Sequence, residues 1–290
     1  MKPAPFAYHR PASLQEALAL LERLAPDAKV LAGGQSLAPM LNMRLARPAH
    51  LVDINDLAEH GRIVERDGFI EIGALARHAE LAVSPLLAAR CPLLPQVART
   101  IAHDSIRQRG TLGGSLANAD PAAQLVLAAV TLDATLVLAR QGGRREVAAR
   151  DFLAGAMATV LEPAELLLAV RFPVAQPGET CAFRLFNRRH GDYAIAAVAA
   201  TVRVDQGRVR QLRLAVAGAG SVPVRMDTVE QAQEGRAADA DWVREVASTV
   251  TRSLSIEDDG RIEPVYRREL VHVLVGQALT HAMEMQAATA

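Results

Sequence analysis

Cysteine is scarce: Cys91 and Cys181 are the only two among 290 residues, and neither belongs to a C-x-x-C pair. Two thiolates cannot supply the four ligands of an iron–sulfur cluster or a Cys₄ zinc site. Their separation leaves a disulfide between them open. Aromatic residues make up 3% of the chain, too few for the stacking platforms that single-stranded nucleic acid uses. Net charge is missing as well, because 32 Lys plus Arg balance 32 Asp plus Glu. Binding duplex nucleic acid calls for a basic face that displaces counterions from phosphates, so at most a local patch is expected. The longest apolar stretch, residues 194–202, reaches only about half a membrane span. The amino-terminal Met1-Lys2-Pro3-Ala4-Pro5-Phe6 has no apolar signal-peptide core, so a soluble cytoplasmic chain is expected.

Catalytic constellations are equally thin. The eight histidines show no H-x-x-x-H or H-x-E spacing, so no metal site is expected. No G-x-x-x-x-G-K-[ST] loop occurs, and Ser115 lacks the G-x-S-x-G context of a hydrolase nucleophile. Gly218-Ala219-Gly220-Ser221-Val222-Pro223 imitates a dinucleotide fingerprint, but Pro223 replaces its third glycine; it reads as a strand-end loop. Arg184, Arg188 and Arg189 with His190 read as a solvated or partner-facing strand edge. No catalytic side chain is assigned. Such a chain suits chemistry carried by a cofactor.

What is present can build a large core. Half the residues are hydrophobic and 22% charged, and the length suits one large or two medium domains. Ser13 and Glu16 form a capping box ahead of Leu14, Ala17, Leu18, Leu21 and Leu24, which predicts a helix. Strands are expected at residues 29–32, 51–54, 69–72, 134–138 and 166–172, and helices at 74–81, 94–101 and 121–132. The segment 110–115 should interrupt them as a loop. Val174-Ala175-Gln176-Pro177-Gly178 is the linker candidate, dividing the chain into residues 1–176 and 177–290. Beyond it come strands at 183–186, 194–204 and 208–216, then helices at 239–253 and 265–283. The fold class is α+β in two parts.

The informative feature is a pair of glycine doublets, each followed by a serine: Ala32-Gly33-Gly34-Gln35-Ser36 and Thr111-Leu112-Gly113-Gly114-Ser115. Adjacent glycines can adopt positive φ and turn successive N–H groups to one side, a concavity that binds oxyanions. They can equally be plain turns. The pattern alone leaves both readings open.

At these loops the sequence resembles the FAD-binding medium subunits of molybdenum hydroxylases, the relatives of carbon monoxide dehydrogenase and xanthine dehydrogenase. Residues 31–37, continuing through Pro39, Met40 and Arg44, resemble the first FAD loop, and residues 110–122 resemble the second. Ile106-Arg107, Glu165-Leu166-Leu167, Arg188-Arg189-His190-Gly191-Asp192-Tyr193 and Tyr266-Arg267-Arg268 fit as well, in family order from about residue 3 to 280.

This resemblance implies a two-part FAD-binding domain of the vanillyl-alcohol-oxidase (PCMH) type, followed by a small C-terminal domain with a three-stranded antiparallel sheet and helices. It implies non-covalent FAD with phosphates held by Leu31, Ala32, Gly33, Gly34, Gln35, Ser36 and Leu37 and by Thr111, Leu112, Gly113, Gly114 and Ser115. Asn118 and Asp120 would lie near the ribityl chain and flavin. Ile101 and Ala102 would pack beside the ring system, with Leu167 and Tyr193 also at the flavin. Two departures stand out. Gln124 replaces a common carboxylate, and Arg184 replaces a common lysine. The implied role is electron transfer within a dimer of heterotrimers. A [2Fe–2S] small subunit would deliver electrons, a molybdopterin large subunit would hydroxylate the substrate, and an external acceptor would take the electrons. A flavin-binding assembly module and a stand-alone flavin oxidase are the alternatives.

Overall fold

A computed structural model describes residues 2–289. The chain opens with β1 (Ala7–His9), α1 (Leu14–Leu24), β2 (Ala28–Leu31), α2 (Leu37–Asn42) and β3 (His50–Asp53). Ser13 accepts from the Glu16 N–H at 3.2 Å, and the Glu16 carboxylate accepts from the Ala12 N–H at 2.8 Å. This fixes the start of α1 and turns buried Ala17 and Leu21 inward. The three strands run parallel in the order β1-β3-β2, with Leu31 opposite Asp53. Both strands therefore end at the same edge, the carboxyl edge where open parallel sheets hold ligands.

A second sheet is antiparallel: β4 (Ile63–Arg66), β5 (Phe69–Gly73), β6 (Thr135–Arg140), β7 (Gly143–Ala148) and β8 (Leu166–Pro173), in the order β4-β5-β8-β6-β7. Against it lie α3 (His78–Val83), α4 (Leu93–Arg99), α5 (Leu112–Asn118) and α6 (Gln124–Thr131). Every residue of α6 is buried. A helix apolar on all sides must be covered on all sides. Here α4 and α5 cover one flank and the C-terminal sheet the other, so Leu127 and Ala128 share a core with Ala197, Ala199 and Ala215.

Three expectations need correction. Residues 74–77 are not helical: they turn, with Ala76 N–H donating to Gly73 O at 3.0 Å, and pair with the second glycine segment, Leu112 N–H donating to Ala76 O at 3.0 Å and Gly113 N–H to Ala74 O at 2.8 Å. Only His78–Val83 is helical. The segment 110–115 is not wholly loop, since Thr111 caps α5 by accepting from the Gly114 N–H at 3.1 Å. The helix expected from Pro121 starts at Gln124 instead. Asp120 folds the preceding residues into a turn by accepting from the Ala122 N–H at 2.9 Å.

The C-terminal part is an antiparallel meander of β9 (Glu179–Phe186), β10 (Ala196–Asp205) and β11 (Arg208–Ala217), with the short strand β12 (Val224–Arg225) added beside β11. The sheet thus has a fourth strand beyond the three expected. Helices α7 (Ala240–Ser253) and α8 (Pro264–Thr289) cover the face carrying Ala196, Val198, Ala200 and Val202. The opposite face, with Ala197 and Ala199, meets α6. Burial on both faces accounts for the apolar run at residues 194–202. Cys91 and Cys181 are buried free thiols, and burial pushes Cys181 up to about 12. Among the described residues no helix is long and apolar enough to cross a membrane.

Candidate functional site

The first glycine loop leaves the end of β2. Gly34 has φ +71°, and Gly33 does not adopt positive φ. Gln35 Nε2 donates back to Gly33 O at 2.9 Å and closes the loop on itself. Among the described residues, the backbone N–H groups of Gly33, Gly34, Gln35, Ser36 and Leu37 donate to no protein acceptor. All five residues are half-buried. A half-buried row of unpaired N–H groups needs water or an anionic ligand.

The second doublet is built differently. Gly113 and Gly114 lie inside α5, and neither has positive φ. The N–H groups of Leu112, Gly113, Gly114 and Ser115 are all taken, the last by Thr111 O at 3.0 Å. This segment is therefore not a second nest of free amides. Its glycine serves contact instead: a Cβ on Gly113 would lie 2.4 Å from the Ala74 Cβ. The absence of that atom lets α5 rest on residues 74–76.

The two loops touch. A Cβ on Gly33 would lie 2.2 Å from Arg109 O, one residue before Gly110. A polar relay spans the same junction. Asn55, just past β3, donates through Nδ2 to Ala32 O at 2.9 Å and to Asp53 Oδ1 at 2.6 Å. Asn55 Oδ1 accepts from Arg77 Nη2 at 2.8 Å, and Arg77 Nη1 donates to Arg109 O. Burial alone would push the Asp53 carboxyl up, but hydrogen bonds from Tyr8 and Asn55 outweigh it and hold it below the usual carboxylate value. Beneath the second loop, buried His78 lies 3.0 Å from Thr111 O through Nε2, and burial pushes its pKa down to about 4.

Two further segments lie beside these loops. Arg107 Nη1 donates to Ile101 O at 2.8 Å and Ala102 O at 3.1 Å, bracing a turn in which Ala102 has φ +42°. His103 packs against Gly191, and its ring lies 6.0 Å from that of His190, so the 188–193 segment of the C-terminal part sits on this turn. From there the Tyr193 hydroxyl reaches Ser36 in the first loop. Burial of that hydroxyl end and the Asp120 charge raise its pKa, and the Ser36 hydrogen bond opposes them.

The structure thus gathers the first loop with Leu31 to Leu37, the second with Thr111 to Ser115, and Ile101, Ala102, Asp120 and Tyr193. Asn118 borders this group, its Nδ2 3.8 Å from Met157 Sδ. Gln124 is buried at the start of α6. Leu167, 4% exposed, is part of the main core at a bulge in β8. Arg184 is not brought to these loops. It lies on the helix-covered face of β9, with Nη1 donating to Phe183 O at 2.9 Å, and lines a groove with α7 and α8. Asp53, Asn55, Arg77 and His78 were missed. The one signal for them was a pair of polar residues, Arg77 and His78, breaking an apolar run.

Residues 4–175 match the family model described as the FAD binding domain in molybdopterin dehydrogenase, and residues 181–282 match the CO dehydrogenase flavoprotein C-terminal domain. The 6-hydroxypseudooxynicotine dehydrogenase complex subunit alpha of Paenarthrobacter nicotinovorans is 37% identical over 284 residues, 98% of this chain and 96% of its own. Among solved structures, a carbon monoxide dehydrogenase from Hydrogenophaga pseudoflava lacking the Mo-pyranopterin moiety superposes with TM-score 0.94 at 36% identity, covering 98% of this chain and 99% of that one. Quinoline 2-oxidoreductase from Pseudomonas putida 86 gives 0.94 at 34%, covering 99% of each.

Proposed function

The chain belongs to the family of FAD-binding medium subunits of molybdenum hydroxylase-type dehydrogenases, and from that premise we propose that it is the electron-transfer flavoprotein of a cytoplasmic heteromer. It takes electrons from a [2Fe–2S] subunit, reduced in turn by a molybdopterin subunit, and passes them to an external acceptor. Residues 1–176 form the FAD-binding part and residues 177–290 the C-terminal part. The observation that carries the reading is the row of five unpaired N–H groups at residues 33–37, set against the second glycine segment. A diphosphate is the part of FAD whose chemistry matches such a row. FAD, when bound, supplies redox chemistry that no side chain here provides.

The chain's own residues bind and orient. Gly34 turns the first loop, Ser36 and Tyr193 bring two hydroxyls together at its end, and Asp120 sets a negative charge nearby. The substrate belongs to another polypeptide: relatives named for 6-hydroxypseudooxynicotine, carbon monoxide and quinoline are all 34–37% identical to this chain.

The loops carry neither histidine nor cysteine for a covalent flavin bond, so the FAD is non-covalent. Purified chain precipitated with acid should release stoichiometric FAD into the supernatant. Purification from the native source should bring down an iron–sulfur and a molybdopterin subunit in fixed ratio. Colour left in the pellet, FMN in place of FAD, or a lone chain that oxidises an organic substrate would each overturn the assignment.

A further inference from the structure

Arg77 is a half-buried cation whose partners are neutral. Its guanidinium donates to the Asn55 side-chain oxygen at 2.8 Å and to the Arg109 carbonyl, and among the described residues it pairs with no carboxylate. Its own N–H is anchored by Glu80 Oε2 at 2.8 Å, so the residue is fixed at both ends. Asn55 is fixed as well, because its Nδ2 is held by Ala32 O and Asp53. The chain of contacts therefore runs from a carbonyl in the first glycine loop, through Asn55 and Arg77, to a carbonyl at the edge of the second. The same Arg109 oxygen forms the wall against which Gly33 rests.

Resting on the proposed FAD function, we infer that Arg77 is a positioning residue of the flavin site: with Asn55 it sets the spacing between the two loops across which the diphosphate is held. Three observations favour this over a general structural role. Arg77 and Asn55 are absent from the buried cores, so neither carries packing on which the fold depends. The loops are more than seventy residues apart in sequence, and the relay crosses where they meet. Free amides are concentrated in the first loop, so their use by a ligand depends on where the second loop stands. The planar fork of arginine can serve two oxygens at once, and an ammonium group lacks that fixed geometry.

The test measures FAD and riboflavin dissociation constants by flavin fluorescence on full-length apo chain, with the melting temperature of each variant. Riboflavin lacks the diphosphate. Arg77→Met should weaken FAD by about one to two orders of magnitude, the range for hydrogen bonds to a charged group. Asn55→Ala should weaken it by about tenfold. Riboflavin affinity and the apo melting temperature should change little in both. Arg77→Lys, which keeps the charge but loses the fork, should resemble Arg77→Met. Full rescue by lysine, an equal loss for riboflavin, or unchanged FAD affinity would overturn the positioning role while leaving the FAD function intact. If Arg77→Met does not fold, Asn55→Ala decides by the same ratio of FAD to riboflavin. Wild-type chain that takes up no FAD would defeat the proposed function itself, and this inference with it.

Discussion

Gly33 rests directly on Arg109: a Cβ on the glycine would lie 2.2 Å from the arginine's carbonyl oxygen, closer than any real Cβ approaches backbone. The crowding differs sharply among the four glycines of the two doublets. Gly113 is wedged against Ala74, whereas Gly34 meets only the Leu31 Cδ1 at 3.2 Å and Gly114 only the Thr111 Oγ1 at 2.7 Å.

Gly33→Ala should therefore force the loops apart and abolish FAD retention, at a stability cost of about 1–3 kcal/mol for overpacking. Gly114→Ala should be milder, because it displaces a single side-chain hydroxyl rather than backbone, its cost being the Thr111 cap on the Gly114 N–H. Gly34→Ala should cost about 1–2 kcal/mol, since its φ of +71° is left-handed. Flavin content of the purified variants and chemical denaturation of their apo forms give the ranking. A Gly33→Ala chain that holds FAD as well as Gly114→Ala would show that loop contact is irrelevant.

Helix α1 was legible because its cap and its leucine spacing are local, and the doublets were legible because glycine pairs stand out in any sequence. What separates the doublets was not. The N–H groups of Leu112 and Gly113 are consumed by Ala76 and Ala74, nearly forty residues upstream, and nothing local announces that pairing. The same pairing explains why residues 74–77, apolar enough to suggest helix, are not helical. The Asn55–Arg77 relay joins three segments, so only the fold reveals it. Leu14 to Leu24 needed one helix to be read correctly; Arg77 needed three loops.

Histidine 78 gives a pH dependence. Its pKa is pushed by burial from the ordinary 6.5 to about 4 in the folded chain. Between those values the unfolded chain binds a proton that the folded chain refuses, so stability rises with pH across this window. The contribution is complete above about pH 6.5 and is progressively lost as pH falls toward 4, by roughly 3 kcal/mol at most. His78→Gln removes the titration and can keep a donor for Thr111 O. Denaturation of the apo chain at several pH values should show a flatter profile for the variant between pH 6.5 and 4. An unchanged slope would assign the acid sensitivity to other groups.

Asp133 joins the two halves of the molecule. It accepts from Arg150 at 2.8 Å within the first part and from Arg225 at 2.8 Å in the second, with Arg213 at 3.5 Å. Arg225 is almost fully buried and also donates to Val130 O at 3.2 Å and Glu230 Oε2 at 2.9 Å. Asp133→Ala should cost about 1–3 kcal/mol by removing the charge-assisted hydrogen bonds from Arg150 and Arg225, each of which keeps one other carboxylate partner. Removing the exposed Asp205–Arg210 pair should cost less than about 1 kcal/mol. Urea denaturation of Asp133→Ala and Asp205→Ala tests the contrast. Equal effects would mean that Asp133 is an ordinary surface carboxylate.

Arg184 supplies a prediction in the opposite direction. Along β9, Phe183 is buried in the main core, while Ala182 belongs to the core under α7 and α8. Strand alternation places Arg184 on the side of Ala182, away from Phe183. There it lines a groove of about 550 Å³ with Arg244, His272, Gln277 and His281. From this placement Arg184 is expected to contribute little to flavin binding. Arg184→Ala should leave the FAD dissociation constant within about twofold, the scale of a surface change of under 0.5 kcal/mol. Tyr193→Phe, which removes the hydroxyl that meets Ser36, should weaken FAD measurably more. Fluorescence titration of the two apo variants separates them, and a larger loss for Arg184→Ala would return that arginine to the site.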